Sequence, residues 1–202
     1  KHVGNFGISG CFSFYPTKQI TTGEGGMLVS NNKSFVNKIR QLKAFGIDKD
    51  INQRTKPGTY DVKALGFNYR LTDFQSALGL KQIEKYKTNL KKRIKLARKY
   101  YEDLKNVKEI KCMPFSKKCS FFVFQIFCKN RDKLLKELKN KKIGVSIHYA
   151  TPLPFMTYYK KKYNYIKKSF KNAKEYSDTN ISLPIYPSLK FEQINKITKV
   201  IK

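Results

Sequence analysis

The chain has 202 residues, 40% of them hydrophobic and 14% aromatic, and its 43 Lys and Arg against 14 Asp and Glu give a formal charge of +29. That is enough apolar material for one sizeable domain or two small ones, and it predicts a folded, soluble protein. The charge admits nucleic acid, an anionic membrane or an anionic substrate as partner. The lysines, however, come in short bursts (91–92, 117–118, 141–142, 160–162, 167–168) spread over most of the chain. No arginine-rich segment and no aromatic RNA-binding signature accompanies them, so they read as a solvated surface. Lysine far outnumbers arginine, and Asn and Ile are common, which is the drift expected of an AT-rich genome. Cysteines at 11, 112, 119 and 128 form no C-x-x-C pair. Only His2 and His148 could join them, so no metal site is predicted, and the cysteines read as reduced, buried thiols of a cytoplasmic protein. No apolar run reaches membrane-spanning length and no signal peptide is visible.

The opening "KHVGNFGISG" has no initiator methionine and no capped first element, and it predicts a piece of a longer protein with sequence missing on its N-terminal side. Gly10 to Phe14 alternates small and aromatic residues and reads as a buried strand; Gly26 to Ser30 reads as a second, joined to it by a glycine-rich turn. Phe35, Ile39, Leu42 and Phe45 give helical spacing over 34–45. A polar, Gly/Pro-punctuated loop follows, "GIDKDINQRTKPGTYDVKALG". Thr72 with Gln75 three residues later is a capping-box pattern. The stripe Ile83, Tyr86, Leu90, Ile94, Ala97, Tyr101, Leu104 then predicts one helix of about thirty residues, bridging two domains. Beyond Pro114, "SFFVFQIFCK" (120–129) reads as a strand, "RDKLLKELKNKKIG" as a helix ending at Gly144, and "VSIHYA" as another strand. Two helical stretches flank "ISLPIYP". The α+β pattern from about residue 88 predicts a small second domain.

Three blocks carry the chemistry. "SFYPTKQITTGEGG" (13–26) resembles the lysine motif of the DegT/DnrJ/StrS family of sugar aminotransferases, which use pyridoxal phosphate. "LGFNYRLTDFQSALGLKQI" (65–83) resembles the family's Asn-Tyr/Phe-Arg-Leu motif with its following helix. "VSIHYATPLPFMTYYKKKY" with "ISLPIYPSL" resembles its C-terminal substrate-lining segment. The blocks stand in family order and span almost the whole chain. The resemblance implies a fold-type I α/β architecture, with residues 1–87 the C-terminal part of the large cofactor-binding domain and 88–202 the small domain.

By the same resemblance Lys18 is the lysine that joins the cofactor's aldehyde and then serves as general acid/base. An amine does the first only unprotonated, a form that an aromatic, water-poor seat favours. Ser13 resembles the hydroxyl on the cofactor phosphate. Asn68 matches an asparagine reaching the phosphate of a neighbouring subunit's cofactor, which implies a homodimer. Arg70 offers a guanidinium for the amino donor's carboxylate, and His148 and Tyr149 fall where the family contacts its sugar nucleotide. Glu24 shapes the turn, and the glycines at 23, 25 and 26 suit unusual dihedrals or close approach. The family's aspartate for the pyridine nitrogen and its Gly-Thr phosphate turn lie upstream of the lysine motif and are not in these 202 residues, so the fragment alone is expected to be inactive. The implied reaction moves an amino group from glutamate to a nucleotide-linked keto sugar, in routes such as those to pseudaminic acid, legionaminic acid or perosamine. A sugar dehydratase of the same fold carries histidine at the lysine position, and Lys18 argues against it. A nucleic-acid binder would need lysines on one face among exposed aromatics.

Overall fold

A computed structural model describes residues 2–49, 51–165 and 167–202. Lys1 of the opening stretch, Asp50 of the polar loop and the side chains of the 167–168 lysine burst lie outside the described residues. The chain forms two compact units, Lys1–Tyr86 and Lys87–Lys202.

In the first unit β1 (Gly10–Ser13) pairs antiparallel with β2 (Gly26–Val29), Ser13 facing Gly26. Helix α1 (Lys33–Leu42) starts where the Asn32 side chain accepts from the Phe35 N–H at 3.0 Å. The helix stops short of the predicted Phe45, because Phe45 (φ 63°) and Gly46 (φ 73°) are both left-handed. Gly46 then crosses Gly66 so closely that a Cβ on Gly66 would meet the Gly46 nitrogen at 2.0 Å. Backbone bonds lace the two segments together: Phe45 N–H to Phe67 O (3.0 Å), Phe67 N–H to Leu42 O (2.7 Å), Tyr69 N–H to Lys43 O (2.9 Å) and Lys63 N–H to Gly46 O (2.9 Å). Helix α2 (Asp73–Leu104) opens on the expected box: Gln75 Oε1 accepts from the Thr72 N–H (3.0 Å) and Thr72 Oγ1 from the Gln75 N–H (3.2 Å). Among the described residues of this unit no large apolar side chain is buried; Leu65 is 88% and Phe74 83% exposed.

The second unit holds the hydrophobic core. The buried face of α2 runs through Leu96, Ala97, Tyr100 and Leu104, so the stripe sits slightly round the helix from the one read in sequence, and Ile83 is exposed. A three-stranded antiparallel sheet is ordered β3 (Lys111–Cys112), β4 (Phe124–Phe127), β5 (Asn180–Leu183). Phe124 and Ile126 of β4 and Ile181 and Leu183 of β5 are core residues. Tyr100 stacks on Phe124 (5.0 Å) and donates its hydroxyl to Pro184 O (3.0 Å). Arg93 caps the carbonyls of Ile185 (2.8 Å) and Phe121 (3.3 Å). Helix α3 (Arg131–Asn140) contributes Leu138, and α6 (Phe191–Ile201) contributes Ile194, Ile197 and Ile201 at helical spacing. Two short helices, α4 (Thr157–Tyr163) and α5 (Lys171–Thr179), lie between α3 and β5.

Several expectations are corrected. Phe121 has φ 49°, which breaks the run at 120–129 and leaves four strand residues. Helix α3 ends at Asn140, four residues before Gly144. "VSIHYA" is not a strand; its ladder contact is a single bridge, Ser146 with Ser182. "ISL", given no structure in the sequence reading, is the fully buried strand β5. Of the cysteines, only Cys128 is buried; Cys112 is half-buried, and Cys11 and Cys119 are exposed. Burial pushes the Cys112 thiol up to about 11. Among the described residues no helix is long and apolar enough to cross a membrane, and no three His, Cys, Asp or Glu side chains gather as metal ligands.

Candidate active site

The lysine excursion leaves the β1–β2 pair and returns to it through a pinched neck. Phe14 N–H donates to Gly25 O (2.9 Å), while Phe14 O accepts from Thr22 N–H (3.1 Å) and Thr21 Oγ1 (3.0 Å). Inside the neck Lys18 N–H closes a turn on Tyr15 O (2.9 Å), and Lys18 is half-buried. Ser13, at the end of β1, is exposed. Its Oγ accepts from the Tyr15 N–H (3.3 Å), which leaves the hydroxyl proton for another acceptor.

Thr22 anchors this loop. It is 4% exposed and donates to Glu24 O (2.7 Å), which also accepts from Gln75 Nε2 of α2 (2.8 Å). Glu24 therefore shapes the turn through its carbonyl. Gly25 has φ 148°, and a Cβ there would sit 2.5 Å from Thr22 Oγ1; a Cβ on Gly79 of α2 would sit 3.1 Å from Thr22 Cγ2. Sequence reading did not single out Thr22 and Gln75 as supports. The Thr-x-x-Gln box at the start of α2 was the one available signal for Gln75.

Asn68 and Arg70 come together: Arg70 Nε donates to Asn68 Oδ1 at 3.1 Å. That bond occupies Oδ1 of the exposed Asn68 and leaves its Nδ2 hydrogens as the amide's donors. The Arg70 guanidinium lies over the Phe45 ring (4.8 Å), in the left-handed turn after α1. Arg70 also lines a cavity of about 650 Å³ with Arg40, Lys43, Lys49 and Arg54 and a single described carboxylate, Asp48. That excess of cations suits an anionic ligand, and no motif in the sequence pointed to it.

His148 and Tyr149 belong to the second unit, their rings edge to face at 5.3 Å, with Tyr149 68% exposed. His148 is half-buried, and its Nδ1 pairs with Ser182 Oγ at 2.8 Å.

A half-buried lysine, a hydroxyl with a proton to donate and an exposed asparagine amide are the residue types that an aldehyde and a phosphate require, so they suit pyridoxal phosphate. The fit covers the anchoring and phosphate groups; no carboxylate for a pyridine nitrogen was identified in the sequence.

Comparison with known proteins points to the same cofactor. Residues 1–202 match the DegT/DnrJ/EryC1/StrS aminotransferase family, whose cofactor is pyridoxal phosphate. The chain is 33% identical over 196 residues to the UDP-4-amino-4,6-dideoxy-N-acetyl-beta-L-altrosamine transaminase of Campylobacter jejuni serotype O:23/36, covering 94% of this chain and 50% of that one. It is 30% identical to the spore coat polysaccharide biosynthesis protein SpsC of Bacillus subtilis, covering 99% and 54%. Helicobacter pylori PseC, an aminotransferase involved in the biosynthesis of pseudoaminic acid, superposes with a TM-score of 0.90 at 29% identity, over 100% of this chain and 54% of that one. The chain thus spans about half the length of these relatives and shares the mixed α/β fold of the sugar aminotransferases. It belongs to the DegT/DnrJ/EryC1/StrS aminotransferase family.

Proposed function

We propose that this chain supplies the lysine side of a pyridoxal-phosphate site in an aminotransferase that moves an amino group from glutamate to a nucleotide-linked keto sugar, for a bacterial surface glycan. The observation that carries the reading is the pinched excursion holding Lys18 five residues beyond the Ser13 hydroxyl. The cationic cavity beside Arg70 supports an anionic, nucleotide-linked substrate. The amino sugar named for the Campylobacter jejuni transaminase and the biosynthetic role named for Helicobacter pylori PseC support an amino-sugar pathway. Residues 1–87 then form the end of the large domain and 88–202 the small one, in a cytoplasmic homodimer.

Bound pyridoxal phosphate supplies an electron sink and a carrier for the transferred nitrogen. Lys18 Nζ would anchor it, and the same amine would take the proton from the donor's nitrogen-bearing carbon and, in the second half of the cycle, give one to the sugar carbon that receives the nitrogen. Ser13 Oγ would donate to the cofactor's phosphate, and Asn68 Nδ2 to the phosphate of the neighbouring subunit's cofactor, where an uncharged donor adds no charge beside that subunit's lysine. Arg70 orients the donor's carboxylate through a charge-assisted pair. His148 and Tyr149 contact the sugar nucleotide.

Borohydride reduction of the full-length holoenzyme, followed by peptide mapping, tests the central assignment. The pyridoxyl label is expected on the peptide carrying Lys18. Label on another lysine, or none on a protein with bound cofactor, refutes it.

A further inference from the structure

Residues 145–150 make one bridge to the sheet, yet His148 is fastened at three atoms. Its backbone N–H donates to Asn180 Oδ1 (3.0 Å), its carbonyl accepts from Gln125 Nε2 (3.1 Å), and its ring Nδ1 pairs with Ser182 Oγ (2.8 Å). The three partners share one face of the sheet. Gln125 stands opposite Ser182 in the β4–β5 register, and Asn180 is two residues from Ser182, the strand period.

Each amide has its direction set by a second partner. Asn180 Nδ2 donates to the Tyr176 carbonyl (2.7 Å), which leaves Oδ1 for the His148 N–H. Gln125 Oε1 takes the Tyr176 hydroxyl, which leaves Nε2 for the His148 carbonyl. Asn180 has no exposed surface and Ser182 only 5%, so these bonds form where water competes poorly and a lost partner is costly. With Nδ1 and both peptide groups engaged, Nε2 is the His148 atom left to address a ligand.

We propose that Ser182, Asn180 and the Gln125–Tyr176 pair are positioning residues that hold the His148 imidazole in the orientation that binds the nucleotide-linked sugar. The proposal rests on the reading of His148 as a substrate contact. The clamp fixes the ring before the sugar arrives, so its ordering cost is not charged to binding. Loss of the clamp therefore appears in the sugar's KM and leaves the amino-donor step alone.

The test uses the full-length holoenzyme with glutamate and a UDP-linked 4-keto sugar. Ser182→Ala is expected to raise the sugar's KM about five- to tenfold, the worth of one well-placed hydrogen bond, with kcat and the glutamate KM within about twofold. Ser182→Thr keeps the hydroxyl and restores the KM. Tyr176→Phe raises it about two- to threefold, although the lost hydroxyl touches Gln125 rather than His148. His148→Ala raises the KM at least as far as Ser182→Ala, and the double variant goes no further, because both act through one ring. A normal KM for Ser182→Ala beside an impaired His148→Ala, or costs that add in the double variant, overturns the clamp. A silent His148→Ala overturns the substrate-contact reading and the proposal with it. A readout independent of turnover is the His148 ring signal in a 1H–15N spectrum, assigned by its loss in His148→Ala. Ser182→Ala must shift it, and an unmoved signal overturns the clamp even in an enzyme that accepts no such sugar.

Discussion

Adding a single methyl group at Gly66 tests how the Asn68–Arg70 segment is held. Gly66 needs no left-handed backbone, so alanine costs nothing in its own dihedrals. Its Cβ, however, would lie 2.0 Å from the Gly46 nitrogen, 2.4 Å from the Phe45 carbonyl carbon and 2.8 Å from the Gly46 Cα. All three are backbone atoms, so no rotamer change relieves the clash. Ordinary carbon contacts of about 3.5 Å require the two segments to part by roughly 1 Å or more. That displacement stretches the four bonds lacing them: Phe45 N–H to Phe67 O, Phe67 N–H to Leu42 O, Tyr69 N–H to Lys43 O and Lys63 N–H to Gly46 O. Losing two or three, at about 1 kcal/mol net each, costs about 2–3 kcal/mol of local stability. Hydrogen exchange on the full-length protein reads this directly. Exchange of the Phe67 and Tyr69 amides should accelerate about 30- to 150-fold, with activity falling as Asn68 and Arg70 lose their station. Gly144→Ala is the control, since a Cβ there meets nothing within 4 Å. Unchanged exchange at Phe67 and Tyr69 in Gly66→Ala would refute the reasoning.

Two further outcomes are expected. If Asn68 serves the neighbouring subunit's cofactor, co-expressed Lys18→Ala and Asn68→Ala chains, each inactive alone, should regain up to about half the native activity per mixed dimer; no recovery counts against that placement. Burial, with Tyr186 nearby, pushes the Tyr100 phenol well above its ordinary range. The unfolded chain therefore releases this proton first, and the stability Tyr100 contributes is complete below about pH 10 and lost as pH rises beyond it. In chemical denaturation across pH 9–12, Tyr100→Phe should flatten that decline and cost about 1 kcal/mol at neutral pH; an unaltered slope would count against it.

Features written in neighbouring residues were legible, and features written across the chain were not. The Thr72–Gln75 box and the Ser13–Lys18 excursion depend on residues three and five apart, so motif and local geometry coincide. The α1 stop was missed because Phe45, a bulky residue, adopts the left-handed turn that glycine signals more plainly. Strand β5 was missed because "ISL" is too short for an alternation to emerge before Pro184, and its burial comes from β4, more than fifty residues away. "VSIHYA" looks like a strand by composition, but beyond the Ser146–Ser182 bridge the bonds it makes with β5 come from the side chains of Asn180 and Ser182. The clamp on His148 joins positions 125 and 148 to 176, 180 and 182 across more than twenty residues, which no spacing rule connects. For the candidate site residues, sequence offers identity through motif likeness, while the Asn68–Arg70 bond and the Tyr15 N–H on Ser13 Oγ come from the fold.

The uneven burial has a thermodynamic consequence. Every large apolar side chain buried among the described residues lies between Leu96 and Ile201, whereas Lys18, Ser13, Asn68 and Arg70 stand in a unit held by backbone bonds across the Gly46–Gly66 crossing and by the buried Thr22. Such a unit has little apolar burial of its own to set against chain entropy. Its order is therefore linked to what binds it: a ligand or partner adds RT ln(1 + [L]/Kd) to the same equilibrium that assembles the site. For these residues binding and local ordering draw on the same free energy, so a bound ligand should raise the temperature at which this unit melts.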